Sequence, residues 1–187
     1  MVHELERIGA THFELPLHSK NPFVIRRNVS RLRNLIEREN VNILHARSRA
    51  PAHSALDAAR QANIRFVTTF HATYNFSMPP KRWYNSVMAR GERVIAISNA
   101  LRDHIIDHYT VNPDRIRVIH RGIDLERFDP TEVSAERVIQ LSRQWRLPDG
   151  VPVILLPGRL TGWKGQSVLI EALARLGHKQ VRCLLVG

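Results

Sequence analysis

The sequence has one cysteine and no long apolar run, and each shortage argues against a class of protein. Cys183 has no disulfide partner within the chain, which favours a reducing, cytoplasmic setting. No apolar run approaches the roughly 20 residues that a membrane-spanning helix needs. The N-terminal segment carries acidic residues and lacks the apolar core of a signal peptide. We therefore expect neither a membrane span nor a secretion signal.

Several familiar catalytic motifs are also missing. There is no G-x-S-x-G elbow, as a Ser-His-Asp hydrolase would need, and no G-x-G-x-x-G or Walker loop. His104 and His108 stand four apart, so they share one helix face, but no third ligand has suitable spacing. A solvated helix face is the better interpretation of the two histidines, and we predict no metal site.

Acidic residues are scarce relative to basic ones. Lys and Arg number 28 against 17 Asp and Glu, which gives a formal net charge of +11 over 187 residues. Such a charge favours anionic partners, and nucleic acid, an acidic lipid surface and a sugar nucleotide all fit. Hydrophobic residues at 43% and charged residues at 24% are typical of a globular protein that buries a core.

Short β-rich runs alternate with amphipathic segments of helical length, which predicts an α/β protein with a parallel sheet. The predicted strands are His12–Leu15, Asn42–His45, Phe66–Phe70, Val94–Ile97, Arg117–His120, Val153–Leu156 and Arg182–Val186. Between them, helices are predicted from Asn21, from Pro51, after the N-cap Ser98 and from Lys164 to the C-cap Gly177. The helix from Asn21 should bury an aliphatic stripe and expose its arginines to water.

The segment PGRLTGWKGQSVLIEAL, from Pro157 to Leu173, holds the strongest candidates for ligand binding. A strand, a loop and a helix start follow one another, and free N–H groups at a helix N-terminus favour an anion. Gly158, Arg159 and Lys164 would then surround a phosphate. Two fixed cations there would stabilise the negative charge that develops on a departing nucleotide diphosphate.

Two further segments complete a pattern that resembles glycosyltransferase family 4. RIRVIHRGIDLERFDP, from Arg115 to Pro130, is similar to the hinge signature of that family, with Arg121 where the family usually has Asn. FVTTFHATYNF, from Phe66 to Phe76, is similar to a strand end that faces the cleft between domains, with Ala72 in place of Gly. The resemblance covers nearly the whole chain.

The resemblance implies a GT-B-like α/β fold with two Rossmann-like domains, each incomplete here. Residues 1–130 would form the N-terminal, acceptor-side domain, 131–150 a connector, and 151–187 the beginning of the donor-side domain. A strand and glycine-rich loop would precede Met1, and an acidic donor-binding region would follow Gly187. The resemblance also implies that this stretch alone is inactive.

The implied activity is transfer of a hexose from a nucleotide sugar to a saccharide or lipid-linked acceptor, with retention of configuration and without a metal or other cofactor. His71 matches the family histidine near the donor sugar and is the predicted catalytic residue. Arg49, Ser98 and Asp124 are weaker cleft candidates, each with a capping or surface role as the alternative.

The stretch NFSMPPKRWYNSVMARG mixes basic and apolar residues, including Phe76 and Trp83, and would suit peripheral contact with an anionic membrane, although core packing of the aromatics is the alternative. No nucleic-acid partner is expected under the transferase hypothesis. Two alternatives remain open: a non-catalytic basic module that binds nucleic acid or anionic membrane, and another GT-B enzyme such as a sugar-nucleotide epimerase.

Overall fold

The computed structural model describes residues 2–74, 78–177 and 180–187. Phe76, part of the predicted basic and apolar surface, lies outside the described residues. The chain divides into two compact units: unit 1 ends at Gly122, and unit 2 runs from Ile123 to Gly187. The division falls within the hinge-like segment between Arg115 and Pro130. The domain limits at residues 130 and 150 stay a prediction.

Unit 1 is built on a four-stranded parallel sheet, as the alternating sequence pattern predicts. Its strands are β1 (Ile43–Ala46), β2 (Arg65–Phe70), β3 (Arg93–Ala96) and β4 (Ile116–Val118), hydrogen-bonded in the order β1-β2-β3-β4. The registers place Ala46 beside Thr68 and Phe70 beside Ala96. All four carboxyl ends therefore meet at one edge of the sheet, and β1 is an edge strand with β2 as its one partner among the described strands.

Helices connect and flank these strands. They are α1 (Val2–Arg7), α2 (Pro22–Arg38), α3 (Arg49–Gln61), α4 (Pro79–Asn85) and α5 (Asn99–His108), with short 3-10 turns at Ser86–Arg90 and Pro113–Arg115. The α2 helix begins where Asn21 caps Phe23 N–H, and it buries Val29, Leu32 and Ile36. This is the predicted aliphatic stripe, and burial of each such side chain stabilises the fold by roughly 1.5–3 kcal/mol.

The core of unit 1 lies between the sheet and its flanking helices. Phe70, Met88 and Ile105 are completely buried there. The hydroxyl of Thr68, also completely buried, donates a hydrogen bond of 2.5 Å to the Met88 carbonyl, which ties β2 to the 3-10 turn. A buried hydroxyl without such an acceptor would be costly, so this bond explains a polar residue inside the sheet.

The predicted strand at His12–Leu15 is wrong. This segment forms no ladder with any described strand, because β1 stands at the sheet edge without a second neighbour. Side chains hold the segment instead: Phe13 lies 5.1 Å from the Arg38 guanidinium, and Leu15 packs against the core. The short α1 helix was not predicted at all, since none of its residues is buried and no apolar stripe marks it.

Unit 2 contains α6 (Ala135–Gln144), β5 (Val153–Pro157), α7 (Gln166–Leu176) and β6 (Arg182–Val186), with 3-10 turns at Pro130–Glu132 and Gly162–Lys164. The strands pair in parallel, with Val153 beside Arg182 and Pro157 beside Val186. None of the described apolar side chains in unit 2 is fully buried; Val168, for example, is 67% exposed. The α/β fold class predicted from the sequence is confirmed in both units.

Candidate functional site

His71 follows β2 directly and lies at the carboxyl edge of the unit 1 sheet. Two arginines flank its ring. Arg47, which follows β1, brings its Nε to 3.4 Å from His71 Nε2. Arg121, which lies beyond β4, brings an Nη2 to 3.0 Å from His71 Nδ1. Because a guanidinium only donates hydrogen bonds, both ring nitrogens face donors.

The surroundings of His71 disfavour its protonated form. Partial burial lowers its pKa, and the nearby charges of Arg47, Arg121 and His45 lower it further. A neutral imidazole has one donor and one acceptor nitrogen, so only one of the two arginines can donate a hydrogen bond to it at a time. The lowered pKa favours the neutral form of His71, which lies at the sheet edge where ligands of open α/β sheets bind.

Arg49 is the first residue of α3 and is half-buried. Its guanidinium donates to Asn85 Oδ1 at 2.9 Å and lies 4.4 Å from the centre of the Tyr74 ring. It also lines a cleft of about 460 Å³ together with Ser48 and Lys81. Arg49 thus holds α3 to the end of α4, and its role as a cleft residue stays a prediction.

Ser98 and Asp124 each have the capping role that the sequence offered as an alternative. Ser98 Oγ accepts a hydrogen bond of 3.2 Å from Leu101 N–H and caps α5, as predicted. In unit 2, Asp124 Oδ1 accepts one of 3.0 Å from Arg127 N–H and closes its own turn. A part in ligand binding stays a prediction for both residues.

The loop after β5 in unit 2 holds the predicted phosphate-binding residues. Gly158 has a φ of 146°, a conformation that side chains disfavour, and a Cβ there would lie 3.9 Å from Cδ of Lys164. Gln166 closes the loop, since its amide donates to the Arg159 carbonyl at 3.1 Å. Arg159 and Lys164 are both exposed. The loop therefore brings the stem of Lys164 beside Gly158 and leaves two cations open to a ligand.

The helix after this loop begins later than predicted. Lys164 ends a 3-10 turn, and Gly165, with a φ of 79°, separates that turn from the first residue of α7, Gln166. A left-handed residue breaks the α-helical hydrogen-bond pattern, which explains the shift of two residues. Lys164 Nζ lies 4.4 Å from the Trp163 ring centre, a cation–π contact on the surface.

The predicted basic and apolar surface is divided between core and solvent. Met88 is completely buried, whereas Trp83 is 66% exposed on α4, beside the exposed Lys81 and Arg82. Trp83 also lines a cleft of about 730 Å³ between α2, α3 and α4. None of the predicted site residues is among those that line this cleft.

The described residues contain no group of three or more His, Cys, Asp or Glu side chains placed to hold a metal ion. His104 and His108 stack on each other, with ring centres 4.2 Å apart, and His108 Nδ1 is 3.0 Å from the His104 carbonyl oxygen. None of the described helices is both long and apolar enough to cross a membrane.

Arg47 and Arg121 are the site residues that sequence reasoning missed. Arg121 stood out only as a substitution in the hinge pattern, and Arg47 was not singled out. Both follow strands of one parallel sheet, and the residues after such strands converge on the same edge. Comparing the residues after β1, β2 and β4 would have placed both arginines near His71.

Comparison with known proteins gives a consistent result. The sequence model of glycosyltransferase family 4 matches residues 2–127. The chain is 27% identical over 164 residues to the phosphatidylinositol N-acetylglucosaminyltransferase GPI3 subunit of Saccharomyces cerevisiae, covering 83% of this chain and 35% of the yeast protein. It is 31% identical over 148 residues to the D-inositol 3-phosphate glycosyltransferase of Frankia alni, covering 72% of this chain and 35% of that protein.

The fold is also found in a solved structure. A glycosyltransferase from Rickettsia africae ESF-5 superposes with a TM-score of 0.84 at 42% identity, over 100% of this chain and 49% of that one. The chain thus spans about a third of the length of the curated relatives and about half of the solved structure.

Proposed function

The chain belongs to glycosyltransferase family 4, with the α/β architecture of GT-B enzymes, and we propose that it serves transfer of a hexose from a nucleotide sugar to a saccharide or lipid-linked acceptor. The reaction retains the configuration of the sugar and requires no metal ion. The observation that carries this proposal is the loop after β5, where the stem of Lys164 lies beside Gly158 and where the side chains of Arg159 and Lys164 are both exposed.

In this proposal the loop binds the donor diphosphate. As the glycosidic bond breaks, negative charge moves onto the diphosphate, and cations fixed beforehand stabilise that charge more in the transition state than in the ground state. Arg159 offers a planar fork that suits phosphate oxygens, and Lys164 adds a compact charge. Two protein cations could thus perform the charge stabilisation that a metal ion supplies in other enzymes.

His71 acts on the sugar side in this proposal. Its partial burial and its two flanking arginines lower its pKa and favour the neutral ring. In this proposal the transferred hexose lies beside His71, at the sheet edge where ligands of open α/β sheets bind. This role makes His71 the proposed catalytic residue of unit 1.

The proposed acceptor is inferred from the relatives and from the exposed surface of α4. The yeast relative is named for phosphatidylinositol and the Frankia alni relative for D-inositol 3-phosphate, and both molecules are phosphorylated polyols. The exposed Trp83 and its cationic neighbours Lys81 and Arg82 would favour peripheral contact with an anionic membrane, on the cytoplasmic face, where a lipid-linked acceptor resides. Sedimentation with anionic vesicles should weaken in Trp83→Ala, and equal sedimentation of the two proteins would contradict this contact.

Binding of the donor tests the central proposal. A panel of nucleotide sugars is titrated against the chain by calorimetry, and we expect saturable binding of one nucleotide class that weakens about tenfold in Arg159→Ala and in Lys164→Ala. Arg175→Ala, which removes an exposed cation at the end of α7, is the matched control. Nucleic-acid binding that falls linearly with the logarithm of salt, together with no response to nucleotide sugars, would favour a basic binding module instead.

A further inference from the structure

The three side chains Arg47, His71 and Arg121, called the arginine–histidine cluster below, contain a contact that the protein alone does not satisfy. Arg121 is at hydrogen-bond distance from Nδ1, so the neutral ring accepts there and carries its proton on Nε2. That N–H then faces Nε of Arg47, another donor, at 3.4 Å. In the opposite tautomer the proton is on Nδ1, and that N–H faces the donor group of Arg121 instead. In either state, two donors oppose each other.

The cluster also carries uncompensated positive charge. Within the described parts of the chain, neither Arg47 nor Arg121 forms an ion pair with a carboxylate. The charged groups that act on His71 are Arg47, Arg121 and the neighbouring His45, all of which disfavour a proton on its ring. Both arginines are exposed, so a ligand from solution can reach them.

We propose that the arginine–histidine cluster binds a phosphate group. An oxygen placed between Arg47 and His71 Nε2 accepts from both donors and removes their conflict, while Arg121 keeps Nδ1 occupied. A phosphate monoester carries a charge of about −1.5 to −2 near neutral pH, which matches two guanidinium charges better than the single charge of a carboxylate. All three residues of the cluster lie in unit 1.

The inference deepens the proposed function and rests on it for the source of the phosphate. The group could belong to the acceptor or to the nucleotide donor, since both carry phosphate oxygens that accept hydrogen bonds from guanidinium groups. The cluster therefore adds a specificity for phosphorylated substrate at the edge where His71 lies. Arg121 takes part because its Nη2 lies 3.0 Å from His71 Nδ1.

Inorganic phosphate is the first probe. It is titrated into the isotopically labelled chain at constant ionic strength, with the ring resonances of His71 followed by NMR. We expect saturable shifts and a rise in the pKa of His71, because a bound anion favours the protonated ring. Arg47→Gln and Arg121→Gln should each weaken phosphate binding by about tenfold or more, the loss expected when one charge-assisted hydrogen bond is removed.

Arg60→Gln is the matched control, because Arg60 is exposed at the end of α3 and the change in net charge is the same. Thermal unfolding midpoints of all variants establish that each is folded. The proposal is overturned if phosphate leaves the His71 resonances unchanged, if either cluster variant binds phosphate like the unmodified chain, or if Arg60→Gln weakens binding as much.

Two competitors then identify the source of the phosphate. Displacement of phosphate from His71 by glycerol 3-phosphate supports a phosphorylated acceptor, and displacement by uridine diphosphate alone supports the donor. Donor binding at the loop after β5 is measured separately with Arg159→Ala. A chain that binds nucleotide sugar without a phosphate response at His71 refutes this inference alone, and the reverse result refutes the proposed function alone.

Discussion

The guanidinium of Arg49 joins two parts of unit 1 that lie 36 residues apart, because its Nη1 donates a hydrogen bond of 2.9 Å to Oδ1 of the buried Asn85. The same group lies over the Tyr74 ring, which belongs to the segment after β2. One side chain at the start of α3 therefore connects the sheet edge to the end of α4. This connection explains why a positive charge is half-buried there.

Loss of that connection should destabilise unit 1. We expect Arg49→Ala to lower the free energy of unfolding by about 1–3 kcal/mol, because the buried Asn85 oxygen loses this charged donor. Chemical denaturation followed by circular dichroism measures the change. Arg60→Ala, on the exposed end of the same helix, should alter stability by less than about 0.5 kcal/mol. Equal losses in the two variants would refute the role assigned to Arg49.

Gly91 should tolerate no side chain. A Cβ there would lie 2.7 Å from the Arg93 carbonyl oxygen and 2.9 Å from Thr68 Oγ1. The Thr68 hydroxyl is fixed by its bond to Met88, so neither neighbour can move freely. We expect Gly91→Ala to cost about 1–3 kcal/mol of stability through overpacking.

Gly122→Ala is the matched control for that substitution, because a Cβ at Gly122 would meet no atom within 4 Å. Its effect should be neutral or slightly stabilising, by at most about 1 kcal/mol, since alanine restricts the unfolded chain. Thermal melts of the two variants compare them directly. If the Gly91→Ala protein had the same thermal unfolding midpoint as the unmodified chain, the sheet would be shown to relax around the added methyl group.

In an active preparation of the proposed transferase, Lys164→Ala should lower kcat by about 100-fold or more, because one preorganised group that stabilises transition-state charge contributes about 3 kcal/mol. Arg159→Lys should also reduce kcat, since an ammonium does not reproduce a guanidinium fork on phosphate. Steady-state kinetics with saturating donor separates kcat from KM. A change in kcat below about threefold for Lys164→Ala would mean that this lysine is a bystander, and Arg175→Ala gives the baseline.

The pKa of His71 should rise when a flanking charge is removed. Burial lowers this pKa most, followed by Arg47 and then Arg121, so Arg47→Gln or Arg121→Gln should restore only part of the difference from the ordinary value of 6.5. NMR titration of the ring without added phosphate measures it, and Arg60→Gln should leave it unchanged. A pKa that stays the same in both cluster variants would place the arginine charges too far from the ring to matter.

The sign of the stability effect follows from the same shift. Because the folded pKa of His71 is below its unfolded value, the unfolded chain binds more protons as the pH falls from 6.5 toward the folded pKa. The folded state should therefore lose stability over that window, and His71→Gln should lessen the loss. Denaturant unfolding at a series of pH values tests this. An equal pH dependence in His71→Gln would assign the effect to other groups.

The sequence by itself determined the parallel α/β fold, the family and most element positions. Apolar runs such as Phe66–Phe70 and the stripe through Val29 and Leu32 mark strands and helices through local periodicity, which needs no knowledge of neighbours. The N-cap Ser98 and the C-cap Gly177 were equally clear, because capping depends on a few consecutive residues.

Only the tertiary structure decided which side chains meet. The segment at His12–Leu15 looks like a strand in the sequence, but a strand also needs a neighbour to pair with, and the described sheet provides none there. Arg47, His71 and Arg121 are separated by 24 and 50 residues, and they meet because parallel strands bring their carboxyl ends to one edge. Local periodicity specifies each strand, whereas the order and register of the strands, which depend on contacts distant in sequence, bring the cluster together.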